Sequence, residues 1–85
     1  MPLKRGDMAT KPVTAYILLT VETGMEYDVI DLISKVPGVR EATITYGMWD
    51  VVVKVEVSSL PELDKLVTRV RQIRGVEQTT TLIGV

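Results

Sequence analysis

The order in which hydrophobic periodicity changes along the chain most constrains its fold. Four segments alternate apolar and polar side chains as strands do, and two carry apolar side chains at helical spacing. In chain order, the predicted elements are a strand at 13–21, a helix at 25–36, strands at 39–46 and 49–57, a helix at 60–73 and a strand at 76–83. The sequence therefore predicts the order β-α-β-β-α-β.

Local signals mark the ends of these elements. Thr23-Gly-Met-Glu26 and Ser59-Leu-Pro-Glu62 have the spacing of capping boxes, which predicts a helix start at each. Pro37-Gly38 and Gly75 end the two helices. Gly47-Met48 between the middle strands is typical of a tight turn, so these strands are predicted to form a hairpin.

The element order indicates an α+β, ferredoxin-like fold, with a four-stranded antiparallel sheet and two helices on one face. Eighty-five residues make one domain, and we assign residues 13–85 to it and residues 1–12 to a flexible N-terminal tail. The uncovered face of the sheet would carry Tyr16, Leu18 and Val52. Because so small a core leaves an apolar face bare, we predict a symmetric homodimer, joined sheet face to sheet face or through edge strands, in a dimeric α/β-barrel-like assembly.

The composition excludes several classes of function. The chain has no His and no Cys, which removes imidazole and thiol catalysis and their metal sites. We therefore expect a binding module with no catalytic residue, metal ligand or cofactor. Ten basic and eleven acidic residues give a net charge of −1, which argues against non-specific nucleic-acid binding.

The sequence also bears on location. It contains neither an 18-residue apolar run nor a secretory signal, so we expect a cytoplasmic protein without a membrane span. The absence of Asn and Cys indicates a hot habitat.

The turn between the middle strands carries the first candidates for ligand binding. Gly47 permits a positive φ or the close approach of a ligand, Trp49 could wall a pocket, and Asp50 could hold an ammonium group. Gly and Asp are also ordinary turn residues. Taken alone, the turn is better explained as a hairpin with a tryptophan in the core.

The end of the chain carries further candidates. Thr79 and Thr81 share a face of the last strand and could bind a carboxylate or an amide, although Thr is also a common strand residue. Arg69, Arg71 and Arg74 could bind an anion, but complementing the negative end of the helix explains them better.

Taken together, these segments resemble one known family. The resemblance rests on Val36-Pro-Gly-Val39, on Tyr-Gly-Met-Trp-Asp at 46–50 followed by Val51-Val-Val-Lys-Val55, and on the ending Gly75-Val-Glu-Gln-Thr-Thr-Thr81. This order is similar to the effector-binding (RAM) domain of Lrp/AsnC transcription regulators, over residues 13–85. The family's Gly-x-x-Asp turn matches residues 47–50.

The resemblance implies an amino-acid effector bound in clefts between dimers, four of which commonly form an octamer. Asp50 would pair with the α-ammonium group. The residues thereby assigned to effector binding are Gly47, Met48, Trp49, Asp50, Thr79 and Thr81. Family members normally carry an N-terminal helix-turn-helix, which residues 1–12 cannot form, so the chain resembles a stand-alone domain. We therefore expect no direct DNA binding, and a full-length regulator of the family as a possible partner.

Three alternatives stay open. An oligomerisation scaffold without ligand predicts the same fold and oligomer. A small dimeric α/β-barrel enzyme would have to rely on Tyr16, Tyr46, Trp49 and Asp50 without any histidine. An RNA-recognition module shares the element order, but the third strand, Trp-Asp-Val-Val-Val-Lys-Val-Glu-Val, does not match the Lys/Arg-Gly-aromatic run of such modules, and the protein is slightly acidic.

Overall fold

The computed structural model describes residues 12–85, so the predicted tail lies outside the described residues except for Pro12. The predicted order of elements is confirmed. The elements are β1 (Val13–Val21), α1 (Glu26–Ile33), β2 (Val39–Ile44), β3 (Val51–Val57), α2 (Leu60–Arg71) and β4 (Val76–Ile83). Neither helix among these residues is long and apolar enough to cross a membrane.

The four strands form one antiparallel sheet in the order β2-β3-β1-β4. Odd-numbered residues of β1 and β3 face the helices, as the alternation predicts, and all of them are buried except the half-buried end residues Val13 and Val57. They pack with one apolar stripe from each helix into a single core. The fully buried side chains of largest volume are Ile17, Leu19, Val29, Ile33, Val51, Val53, Val55 and Val70.

The other face of the sheet carries the even-numbered residues. Leu18 pairs with Val52 at its centre, and both are half-buried. Tyr16 lies between Lys54 and Leu82 in the adjoining row and is 38% exposed. The described part of the chain therefore presents a partly apolar, uncovered sheet face, as predicted.

Helix α1 departs from the prediction at both ends. The proposed capping box is wrong: the N-cap is Met25, without a side-chain cap, and the Glu26 carboxylate accepts from the Gly24 N–H at 3.1 Å. A turn closed by the Met25 N–H and the Glu22 carbonyl delays the helix. The helix also ends at Ile33 rather than residue 36, because bonds to the third preceding carbonyl tighten its last turn.

One further difference concerns the exposure of a residue in α1, while the predicted start of α2 holds in part. Leu32, one of the apolar residues at helical spacing that predict α1, is 45% exposed. The capping box before α2 is confirmed in part, since the Ser59 hydroxyl accepts from the Glu62 N–H at 3.3 Å. Pro61 lies in the first turn, where its missing N–H costs nothing.

Candidate functional site

The connection between β2 and β3 is a six-residue loop, residues 45–50, rather than the predicted two-residue turn. Both strands are accordingly shorter than predicted, β2 ending at Ile44 and β3 beginning at Val51. The Thr45 N–H donates to the Asp50 carbonyl at 2.9 Å, and the Thr45 hydroxyl donates to the Trp49 carbonyl at 2.7 Å. These two bonds close the loop across its base.

Asp50 fastens this loop to the neighbouring strand β1. Its N–H donates to the Leu19 carbonyl at 2.8 Å, and its Oδ2 accepts from the Val21 N–H, also at 2.8 Å. The pairing of β1 with β4 is irregular between Thr20 and Val21. The Asp50 carboxylate therefore satisfies a backbone donor at a β-bulge, where a regular partner strand has ended.

On the other side of the bulge, the Thr20 hydroxyl accepts from the Gln78 N–H of β4 at 3.1 Å. Two side-chain oxygens, those of Asp50 and Thr20, thus accept from backbone N–H groups next to the bulge. Because β4 begins there, the loop that Asp50 fastens to β1 lies near the first half of that strand. Strand β4 is an edge strand of the sheet.

An open groove of about 650 Å³ lies where these parts meet, and we call it the Trp49 groove. It is lined by Trp49, by Arg71 at the end of α2 and by residues 76–80 of β4. Trp49 is half-buried and is not one of the core residues, so the interpretation of a core tryptophan is wrong. Its ring forms part of a surface that a ligand can reach.

The groove brings together only part of the predicted site. Trp49 and Thr79 line it, whereas Asp50 is not one of its lining residues and bonds to Val21 of β1. Gly47 has a φ of +113° and Met48 is 83% exposed, so both lie at the outer part of the loop. Thr81 lines a different, smaller groove beside α2.

Sequence reasoning gave Arg71 a capping role and missed its position in the groove. Its place in the last turn of α2 does fit the negative end of the helix. However, α2 and the loop are brought together only by the tertiary fold. The one usable signal was that the last helix turn is rich in arginine, which by itself selects none of Arg69, Arg71 and Arg74.

The chemistry of the groove suits a small polar molecule with an apolar part. Arg71 offers a guanidinium to a carboxylate, Thr79 offers a hydroxyl, and Trp49 offers an aromatic wall. Glu77, also in the lining, offers a carboxylate. Within residues 12–85, no cluster of three or more acidic side chains is arranged to hold a metal ion.

The sequence as a whole matches one protein family. Its model, described as the Lrp/AsnC ligand binding domain, matches residues 14–84. The chain belongs to this family. The RAM-type topology described above is the one that its structural neighbours share.

Relatives of the Lrp/AsnC chain are named as regulators. An HTH-type transcriptional regulator of Pyrococcus furiosus is 36% identical over 75 residues, which is 84% of this chain and 50% of that relative. The chain thus spans about half the length of the curated relatives that it matches. Those relatives come from thermophilic archaea, in agreement with the composition.

Solved structures agree with the Lrp/AsnC fold. The crystal structure of FFRP-DM1 is 36% identical, has a TM-score of 0.82, and is matched over 86% of this chain and 99% of that chain. A transcriptional regulator from Neisseria meningitidis, solved as an L-Met complex, has a TM-score of 0.79 at 12% identity. It is matched over all of this chain and 57% of its own, and it shows likeness of fold alone.

Proposed function

We propose that this Lrp/AsnC domain is an amino-acid-binding regulatory module, not an enzyme, that acts in the cytoplasm in transcription control. The observation that carries this proposal is the Trp49 groove, which combines a cation, a hydroxyl and an aromatic wall beside the family's Gly-x-x-Asp turn. The L-Met bound to the Neisseria regulator supports an amino acid as the class of ligand. The names of the relatives support a regulatory role.

In this proposal the ligand is held as a zwitterion. Arg71 takes the α-carboxylate, and the apolar side chain of the ligand lies against Trp49. Asp50 takes the α-ammonium group, since a carboxylate has about four acceptor sites and the bond to Val21 uses one. Thr79 adds a hydroxyl from the groove. Where copies of the domain meet, Gly47 and Met48 contribute backbone groups to the ligand site, and Thr81 contributes a hydroxyl.

The working form is an assembly rather than a single chain. The uncovered sheet face with Tyr16, Leu18 and Val52 supports a homodimer in which two sheets pack face to face. We propose that four such dimers form an octamer, with the Trp49 grooves at the contacts between dimers. Ligand binding would then shift the equilibrium between assembly states through its different affinity for each.

In this proposal residues 12–85 make no direct contact with DNA. Within residues 12–85 the two helices are separated by the β2–β3 hairpin, so this part of the chain contains no helix-turn-helix pair. A full-length Lrp/AsnC regulator is the partner that we propose, joined through the same sheet face in a mixed dimer.

The first prediction is that at least one of the twenty amino acids changes the fluorescence of Trp49, the chain's single tryptophan. We expect saturable binding, measured by fluorescence titration and calorimetry on a sample whose mass is known from light scattering. A ligand at ~100 times its Kd should stabilise the protein by roughly 2.7 kcal/mol in guanidinium unfolding. If no amino acid binds to an octamer-sized sample, the domain is an oligomerisation scaffold.

The second prediction concerns Arg71. Arg71→Gln should weaken binding of the amino acid at least tenfold, because a charge-assisted bond contributes about 1.5–3 kcal/mol. The amide derivative of the same amino acid, which lacks the carboxylate charge, should bind wild type and Arg71→Gln equally weakly. Arg69→Gln is the matched control, since Arg69 lies on the same helix but lines a different groove. Equal losses in the two variants would remove Arg71 from the site.

A further inference from the structure

The hydroxyl of Thr45 holds the backbone of Trp49. It donates to the Trp49 carbonyl at 2.7 Å, and the pair is half-buried. Thr45 itself is fixed at the last rung of the hairpin, because its N–H donates to the Asp50 carbonyl at 2.9 Å. Thr45 is not a lining residue of the Trp49 groove.

The rest of the loop does little to hold the tryptophan. Tyr46 and Met48 are 104% and 83% exposed, and Gly47 has a φ of +113° with nothing within 4 Å of a built Cβ. The two loop residues whose hydrogen bonds fix the backbone at Trp49 are therefore Thr45 and Asp50. Asp50 fastens the loop to β1, and the Thr45 hydroxyl fixes the peptide between Trp49 and Asp50.

We infer that Thr45 is a positioning residue of the ligand site, which sets amino-acid affinity by holding Trp49 in its place in the groove. The inference rests on the proposed function for its affinity effect, but its effect on Trp49 needs no ligand. Without the hydroxyl, the Trp49 carbonyl loses a fixed donor and the indole samples more orientations. A ligand must then immobilise the indole on binding, which lowers affinity.

The test replaces Thr45 by valine, which keeps the branched shape and the backbone N–H but removes the hydroxyl. In ligand-free Thr45→Val we expect lower Trp49 fluorescence anisotropy and stronger quenching by acrylamide than in wild type. Affinity for the amino acid found with wild type should fall about 3- to 10-fold, the loss of one hydrogen bond. Thr45→Ser should restore both properties, because serine keeps the donor.

The chain offers a matched control in Thr68, whose hydroxyl donates to the Asp64 carbonyl at 2.9 Å on the exposed side of α2. Thr68→Val removes the same kind of bond but should change neither the anisotropy nor the affinity. In a Trp49→Ala background, measured by calorimetry, Thr45→Val should cause no further loss, because its effect passes through Trp49.

The outcomes separate the two proposals. If no amino acid binds to wild type, the proposed function fails, while the anisotropy of Thr45→Val still decides whether Thr45 positions Trp49. If an amino acid binds and Thr45→Val behaves like Thr68→Val, the positioning role is wrong and the proposed function stands. If Thr45→Val lowers the affinity in the Trp49→Ala background as much as it does in wild type, the inference is also overturned.

Discussion

Asp50→Ala is expected to lower both the stability of the fold and the affinity for the amino acid. The substitution removes the acceptor of the Val21 N–H, which lies at a part-buried position near the end of β1. A buried donor left without a partner costs about 1–3 kcal/mol, so guanidinium unfolding followed by circular dichroism should show a loss of that size. Binding should fall by more than about 100-fold, since the ammonium partner and the anchor of the loop are lost together.

Asp50→Asn separates these two contributions. Its amide oxygen can still accept from the Val21 N–H, so stability should stay within about 1 kcal/mol of wild type. Its lost charge should still weaken amino-acid binding at least tenfold, measured by calorimetry. If Asp50→Asn binds as tightly as wild type while Asp50→Ala does not, Asp50 only anchors the loop, and the α-ammonium group has another partner.

The contrast between these variants also shows where sequence reasoning was incomplete. The Gly-x-x-Asp turn drew attention to Asp50, but as a partner for a ligand. Its observed partner, Val21, lies 29 residues away, and that donor becomes available because the regular pairing of β1 with β3 stops at Val51, just after Asp50. A bond of this kind depends on the register of two strands, which no local pattern specifies.

Elements defined by local chemistry were predicted well. The Ser59 cap depends on residues three apart, and Gly75 adopts the left-handed conformation expected after a helix. The alternation along β1 identified its buried face correctly. Because the side-chain period of a strand is two, the apolar residues all lie on one face, and that face is the one covered by the helices. These signals were sufficient for the fold class and for the bounds of β1 and β4.

Errors occurred where a second local bond replaced the predicted one, or where contacts between distant parts of the chain decided the outcome. Thr23 and Glu26 have capping spacing, but a turn at Gly24 intervenes, and Glu26 bonds to the Gly24 N–H instead. Thr79 and Thr81 do share a face, as predicted. They nevertheless line separate grooves, because Trp49 approaches only the first half of β4 and α2 lies along the second.

Gly38→Ala is expected to destabilise the domain by about 2–5 kcal/mol. Gly38 has a φ of +99°, a conformation that costs a residue with a Cβ about 1–2 kcal/mol. A Cβ there would lie 2.8 Å from Leu66 Cδ1 and 3.1 Å from Val57 Cγ1. Leu66 is 3% exposed, so moving its side chain away from the added methyl group disturbs the core, and overpacking adds about 1–3 kcal/mol. Guanidinium unfolding followed by circular dichroism measures the loss.

Gly24→Ala separates conformational strain from crowding. Gly24 has a similar φ of +89°, but no atom lies within 4 Å of a Cβ built on it. Gly24→Ala should therefore lose only the conformational cost of the positive φ, about 1–2 kcal/mol. A larger loss at Gly38 than at Gly24 means that a hydrogen atom is required there for α2 to approach the start of β2 and the end of β3. Equal losses would mean that Leu66 can move aside, and that the chain has glycine at this position for its conformation alone.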